Sequence, residues 1–435
     1  MTSQGASTDL AVTSRGNYRW FVLAMLCFVY VLNFVDRQLL AILAKPIQDE
    51  LGISDTQLGL LGGLYFAIFY CVIAIPVAWL ADRANRVRVL SIACAIWSAA
   101  TIACGLAGSY SQLAAARMAV GVGEAGGVPP SYSIISDYFP AGLRGRALSL
   151  FNLGPPIGQA LGVAFGAGIA AQHDWRTAFI IIGAIGVVAA GVVWLTVREP
   201  QRGATDREPA ATSAVPSLSF NAALRAFVTN RVLMLAALAA GATQFVTYAS
   251  LNFNVLFLMR EKAMPLDQVS IWYALLLGIG VSAGIYLSGA LLDRYRERSR
   301  AAYAVIPAIG LALALPPLVG FIHAPGWPLA LAFLAGPMLF GYFFLSPTVA
   351  LVQDTVPAQQ RTLASALLLL IMGLIGLGLG PTWLGVVSDA ARAAGAVNPL
   401  QVAFYSLIPF QLLAILLYLL LARTLRRAEA SGTPA

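Results

Sequence analysis

Polar and charged residues fall in short clusters along this chain, and the stretches between them are continuously apolar over some twenty residues. A bilayer core takes ~20 apolar helical residues per crossing, so each stretch reads as a spanning helix. The pattern predicts twelve, over 20–44, 57–80, 88–108, 112–135, 146–170, 177–197, 232–258, 267–290, 301–322, 328–352, 362–387 and 402–422. A transmembrane β-barrel would alternate apolar and polar residues in ~10-residue segments, which these runs do not. Most connections are very short. The exception is 198–230, rich in Pro, Ser, Thr, Ala and charge, with Arg198, Glu199, Pro200, Arg202, Asp206, Arg207 and Glu208. That composition predicts a cytoplasmic linker. It separates an N-terminal six-helix bundle with a short polar tail (1–197) from a C-terminal one with a short basic tail (231–435). The expected fold class is an all-α membrane protein of two pseudo-symmetric bundles.

Composition agrees, at 59% apolar and 11% charged residues. A soluble globular protein carries roughly 25% charge, so a single soluble domain is excluded, as is a disordered chain. The net charge of +8 is a matter of topology. With the N-terminus inside, 20 of the 27 cations fall in inside segments and 5 in outside loops, leaving Arg37 and Arg117 within helices. That bias predicts both termini in the cytoplasm and makes nucleic-acid binding unnecessary. Only Lys45 and Lys262 are lysine. The arginine bias, with abundant Ala, suggests a GC-rich bacterial coding sequence, hence a multi-pass protein of a bacterial inner membrane, and we expect a monomer. Cys27, Cys71, Cys94 and Cys104 lie inside apolar runs and read as small core residues. His173 and His323 are isolated, so no metal or other cofactor is expected. The first 17 residues lack a cleavage pattern and are not expected to be a removable signal peptide. Trp20, Trp175 and Trp327 fall at predicted interfaces, as an aromatic belt would.

The halves repeat each other. Pro130, Asp137, Pro140, Ala141, Arg144 and Ala147 match Pro347, Asp354, Pro357, Ala358, Arg361 and Ala364 at an offset of 217. Leu80, Asp82 and Arg83 match Leu291, Asp293 and Arg294 at an offset of 211. Duplicated halves with a site between them near the midplane are the architecture of alternating access.

After the second helix the chain reads Ala78-Trp-Leu80-Ala81-Asp82-Arg83-Ala-Asn85-Arg86-Val-Arg88, and the second half repeats Gly289-Ala-Leu291-Leu-Asp293-Arg294. The fourth helix carries Arg117-x-x-x-Gly121 and the fifth Gly154-Pro155-Pro-Ile-Gly158-x-x-x-Gly162. These resemble the loop motif, the R-x-x-x-G motif and the G-P-x-x-G motif of the major facilitator superfamily, with Ala78 and Asn85 replacing two glycines. The resemblance spans essentially the whole transmembrane region. Four further stretches resemble its spinster-like transporters: Asn33-Phe-Val-Asp36-Arg37-Gln38, Ser54-Asp55-Thr-Gln-Leu-Gly59, Phe66-Ala-Ile-Phe-Tyr70, and Gly121-Val-Gly-Glu124-Ala125-Gly-Gly-x-Pro129-Pro-Ser131 followed by Ser136-Asp137. That group moves lysophospholipids or sphingosine-type phosphates. Organic anion:cation symporters share Asn-x-x-Asp-Arg and G-x-x-E-A-G, so a sugar-acid cargo is the alternative. The resemblance also implies a cytoplasmic gate between the halves at Asp82, Arg83, Arg86, Asp293 and Arg294, with Arg144 and Arg361 beside it.

A charge at the bilayer centre costs ~2.5–3.5 kcal/mol even on insertion scales. Four such residues are expected within the first half: Asp36 and Arg37 in the first helix, Arg117 and Glu124 in the fourth. Arg117 and Glu124 share one helical face, two turns apart, so the four can form a neutral cluster. Desolvation penalises an ionised carboxylate and a neighbouring guanidinium favours it, so a change of pairing changes proton affinity. Asp36 and Glu124 are the candidate proton carriers. Arg37 and Arg117 are their partners or the anchors of an anionic headgroup. A fixed structural ion-pair network is the alternative. The second half puts Leu334 and Gly341 where Arg117 and Glu124 stand, and supplies Gln244, Thr247, Tyr248, Asn252, Asn254, Tyr342 and Ser346. With Asn33 these are cavity candidates, or helix–helix hydrogen-bonding groups. A cavity charged on one wall and neutral, aromatic and apolar on the other suits an amphipathic cargo, moved with protons. No nucleotide-binding loop, metal spacing or nucleophile–base pair suggests an enzyme. Gly121-Val-Gly123-Glu124-Ala125-Gly126 follows no strand and reads as helix packing.

Overall fold

A computed structural model describes residues 4–202, 220–356 and 361–431. Among them, eleven helices are long and apolar enough to cross a membrane. In chain order, with the predicted fourth included, they are α1 (Asn17–Ile42), α2 (Asp55–Ala81), α3 (Arg86–Leu106), α4 (Tyr110–Glu124 and Val128–Tyr138), α5 (Leu143–Gln172), α6 (Trp175–Thr196), α7 (Arg231–Arg260), α8 (Leu266–Tyr295), α9 (Ala302–His323), α10 (Trp327–Thr355), α11 (Leu363–Ala393) and α12 (Pro399–Ala430). The element predicted over 112–135 is therefore present in two pieces. Gly126 and Gly127 weaken the helix, and the second piece restarts on Pro129 and Pro130, whose missing amide hydrogens cost least in a first turn. Helix α10 turns in the same way at Gly341–Phe344, which is Glu124–Gly127 shifted by the repeat offset of 217. The duplication thus reaches the backbone as well as the sequence.

Two boundaries differ from expectation. The first helix begins at Gln4, inside the predicted polar tail. The last part of the predicted linker forms an amphipathic helix, Phe220–Thr229, whose Phe227 is buried against the second half. Asp206, Arg207 and Glu208 lie outside the described residues.

Helix α5 lies along α1 through a glycine face. A Cβ on Gly158 would sit 2.5 Å from the Val31 carbonyl oxygen, and one on Gly162 2.9 Å from that of Val35. This close approach accounts for the G-P-x-x-G stretch by packing alone. The hydrophobic core is continuous between the halves only in part. One cluster joins the whole first half to the upper parts of α7, α8, α9 and α12, including Phe253, Phe257, Phe321 and Phe404. The lower part of the second half packs separately, around Phe227, Phe343, Leu351 and Tyr418. The halves therefore meet at the end that the cation count assigns to the outside, and pack apart at the other.

Trp175 departs from the aromatic-belt expectation. It is buried, and its indole Nε1 donates to Glu50 2.6 Å away. The Arg176 guanidinium and that indole hold the Glu50 carboxyl below its usual range.

Replacing Gly158 with Val should lower the melting temperature of the detergent-solubilised protein, by an amount set by ~1–3 kcal/mol of overpacking. Gly168→Val should change it little, because nothing lies within 4 Å of a Cβ there. Parallel thermal unfolding of the two variants checks this.

Candidate functional site

The outer closure is built on Asp55. Ser54 caps the start of α2, its hydroxyl accepting from the Gln57 amide while its own amide donates to Gln57 Oε1. The next two amides of that helix end, Asp55 and Thr56, donate to the Asp389 carboxylate of α11, at 3.2 and 2.7 Å. A carboxylate at a helix N-terminus meets both unpaired amides and a favourable dipole. The Asp55 carboxylate is fully buried. Its Oδ1 accepts from Arg260 and Gln48, both at 2.7 Å, and its Oδ2 from Arg260 at 2.9 Å, Ser388 at 2.6 Å and Arg392 at 2.7 Å. Asp55 and Gln48 belong to the first half; Arg260, Ser388, Asp389 and Arg392 belong to the second. Around this knot α2 and α11 touch backbone to backbone. A Cβ on Gly59 would meet the Pro381 oxygen at 2.4 Å, and one on Gly385 the Asp55 oxygen at 2.2 Å. Both helices must be bare there.

Beneath this closure lies a small cavity between the halves. Phe34, Arg37, Gln38, Phe66, Arg117 and Gln159 line it from one side, and Tyr248, Leu251, Asn252 and Leu377 from the other. The four intramembrane charges stand on or behind its first wall as two pairs crossing from α1 to α4. Arg37 Nε donates to Glu124 Oε2 at 2.5 Å, and Arg117 Nη1 lies 4.0 Å from Asp36 Oδ1. Adjacent in sequence, Asp36 and Arg37 point apart and find partners seven residues from each other on α4. Arg37 is the most open of the four, its side chain 15% exposed against 0–3% for the rest. Its guanidinium sits 4.9 Å from each of the Phe34, Phe66 and Tyr70 rings, and Phe66 also faces Arg117 at 5.4 Å. Both Asp36 oxygens, Glu124 Oε1 and Arg117 Nε and Nη1 have no hydrogen-bond partner among the described residues. The Thr101 hydroxyl beside Asp36 donates to the Trp97 carbonyl instead.

Among the neutral candidates, Tyr248 and Asn252 reach this cavity. Asn252 Nδ2 donates to the Tyr248 carbonyl, and its Oδ1 would lie 2.4 Å from a Cβ on Gly62. Thr247 spends its hydroxyl on its own helix, and Ser346 donates to Ile285 of α8. Gln244 packs its Cβ against Gly376 of α11, and Tyr342 its Cβ toward Gly284 of α8. Asn33 is buried, its Oδ1 unpaired among the described residues, and Asn254 is buried beside Tyr273. These six do not line this cavity.

Of the expected cytoplasmic gate, the contacts seen among the described residues stay within each half. Arg86 is buried within the first half, held by Asp137 at 2.5 Å, Glu199 at 2.7 Å, Ser133 and the Pro200 carbonyl. Asp293 is 73% exposed and pairs with Arg296 on its own helix end. Arg83 lies over Trp79, Arg294 over Tyr295, and Arg144 reaches the Phe139 carbonyl. The side chains of Asp82 and Arg361 lie outside the described residues. Sequence reasoning missed the Asp55 knot, Gln38, Gln159 and the aromatic box. The signal for the box was available, because Phe66 and Tyr70 are one turn apart on a single face.

The sequence profile described as Major Facilitator Superfamily matches residues 26–381. The chain is 32% identical over 431 residues to an MFS-type efflux pump of Mycolicibacterium smegmatis, covering 94% of this chain and 95% of that one. It is 29% identical over 401 residues to protein spinster homolog 1 of Homo sapiens, covering 85% and 73%. A bacterial homolog of the human lysosomal transporter spinster, solved in an inward-facing and unoccupied conformation, superposes with a TM-score of 0.86 at 30% identity, over 94% of this chain and 98% of that one.

Removing the charge of Asp55 takes the shared carboxylate from the partly buried Arg260 and from the exposed Arg392, and so loosens the one group that ties both halves together at this end. Asp55→Asn should therefore open the outer end. A cysteine placed at Leu251, in a background without the four native cysteines, should react with a membrane-impermeant thiol reagent from outside in that variant. With Asp55 intact it should stay protected.

Proposed function

The chain belongs to the Major Facilitator Superfamily, as a spinster-type transporter, and we propose that it couples proton movement to the passage of an amphipathic, lysophospholipid-like or sphingolipid-like substrate. Transport proceeds by alternating access, the bundles of 1–197 and 231–435 rocking about the cavity while 198–230 keeps them joined. The single chain is the working unit, because its own two halves supply both walls. A bacterial inner membrane is its place.

The observation that carries this reading is the Arg37–Glu124 pair on the cavity wall. Arg37 is open enough to meet a ligand arriving from the parted end. An anionic headgroup there competes with Glu124 for one guanidinium, whose geometry suits phosphate as well as carboxylate. Deprived of that partner, a fully buried carboxylate is costly to keep charged and takes a proton instead. Asp36 and Arg117, held more loosely behind it, supply a second exchangeable pair. Headgroup and proton thereby load together. The apolar part of the substrate has Phe34, Phe66, Leu251 and Leu377 to lie against, with Tyr248 and Asn252 at its polar boundary. A small sugar acid would use Arg37 equally but would leave those apolar walls uncovered.

In proteoliposomes with an imposed pH gradient, Glu124→Gln and Asp36→Asn should each reduce coupled transport to the level of empty vesicles while the protein still inserts and folds. Full coupled transport by both variants would refute the assignment. For the substrate class, a thermal-shift series of lysophospholipids against hexuronates should show stabilisation by the lipids. Stabilisation by the small acids alone would transfer the assignment to organic-anion symport.

A further inference from the structure

A second groove, of about 410 Å3, lies at the inner end of the second half, remote from the cavity between the halves. Its walls are Leu291 and Tyr295 at the end of α8, Val305 and Ile309 on α9, and Phe343 at the turn of α10. Two arginines stand at its rim: Arg298 in the connection between α8 and α9, and Arg426 on α12. Both are exposed, and neither forms an ion pair among the described residues. Two nearby acids are committed elsewhere, and Glu297, exposed beside Arg298 in the chain, is not among the groove's lining residues. Glu429 accepts from the Ser299 hydroxyl and the Arg300 amide, and Asp293 pairs with Arg296. The apolar wall continues away from the arginines as an exposed track of Leu287 and Leu291 on α8 and Ile309 and Leu313 on α9, each pair one turn apart.

We propose that this groove holds an anionic phospholipid of the cytoplasmic leaflet. Its phosphate sits between Arg298 and Arg426, and its acyl chains follow the α8–α9 track. The arrangement has the polarity of a lipid: cations at the end that the positive-inside count assigns to the cytoplasm, and hydrocarbon surface running from there toward the bilayer middle. Basic pockets between spanning helices on that side suit anionic headgroups, and guanidinium binds phosphate bidentately. Among the groove's lining residues the two arginines are the charged groups, with no acid beside them, so a net-anionic headgroup fits it better than a zwitterionic one. The lipid is a fixed partner and not cargo, because the groove opens on the outer flank of the second half. By tying the α8–α9 connection to α12 it braces the inner end of that half.

Native mass spectrometry of the full chain in non-ionic detergent, titrated with phosphatidylglycerol or phosphatidylcholine, tests this. Wild type should retain phosphatidylglycerol about tenfold more strongly than phosphatidylcholine, and Arg298→Gln/Arg426→Gln should abolish the preference. Ile309→Trp, which keeps both arginines and fills the track, should also reduce phosphatidylglycerol retention. Excess glycerol phosphate should not displace the lipid. Equal retention of the two lipids by wild type, an unchanged preference in the double arginine variant, or displacement by glycerol phosphate would each overturn the proposal.

Discussion

One carboxylate, that of Asp55, organises the meeting of the two halves. It is fully buried, yet five hydrogen bonds reach it, from two arginines, a glutamine and a serine drawn from both sides of the duplication. A buried charge is tolerable when its partners are complete. Here completeness requires both halves, so the carboxylate is stable only while the outer end is shut. Asp389 adds a second acid, returned across the same boundary to the amides that begin α2. Two acids and two arginines thus balance in a well-bonded group. The parted inner end and the cavity beneath the closure are its geometric consequences.

The four charges at mid-depth have the same inventory, two acids and two arginines, and the opposite state of completion. Five of their polar atoms lack a hydrogen-bond partner among the described residues. Arg37 is held by one carboxylate and three rings rather than by a set of acceptors. A saturated network fixes one arrangement; an unsaturated one leaves room for a ligand to complete it. The contrast separates a group that holds a conformation from one that is chemically available.

Much of this was legible in the sequence, for identifiable reasons. Long apolar runs fix spanning helices irrespective of their surroundings, and the scarcity of intramembrane charge makes Asp36, Arg37, Arg117 and Glu124 conspicuous. Their spacing on α4 even anticipates that two partners lie on one face. Asp55 gave no such signal. At the edge of an apolar run it looks like an ordinary helix-start acid, and Arg260 and Arg392 look like loop cations. Only the fold brings positions more than two hundred residues apart onto one carboxylate. The break in α4 was missed because its apolar composition continues across Ala125–Gly127. The cavity candidates on α7 and α10 divided as they did because a hydroxyl or amide in a spanning helix can equally be consumed by its own backbone, as at Thr247, or by a neighbouring helix, as at Ser346.

The bare contact of α2 with α11 has a consequence beyond fit. Where Gly59 meets the Pro381 carbonyl and Gly385 meets that of Asp55, main chain lies directly on main chain, with no room for a file of water molecules. Protons cross proteins along such files, so a seam without them insulates. Under the proposed coupling, closure of this end would leave the carboxylates at mid-depth open to one compartment only, with the gradient falling over a layer of glycine rather than over the acids themselves. Tight coupling without leakage would then rest on residues that carry no chemistry of their own.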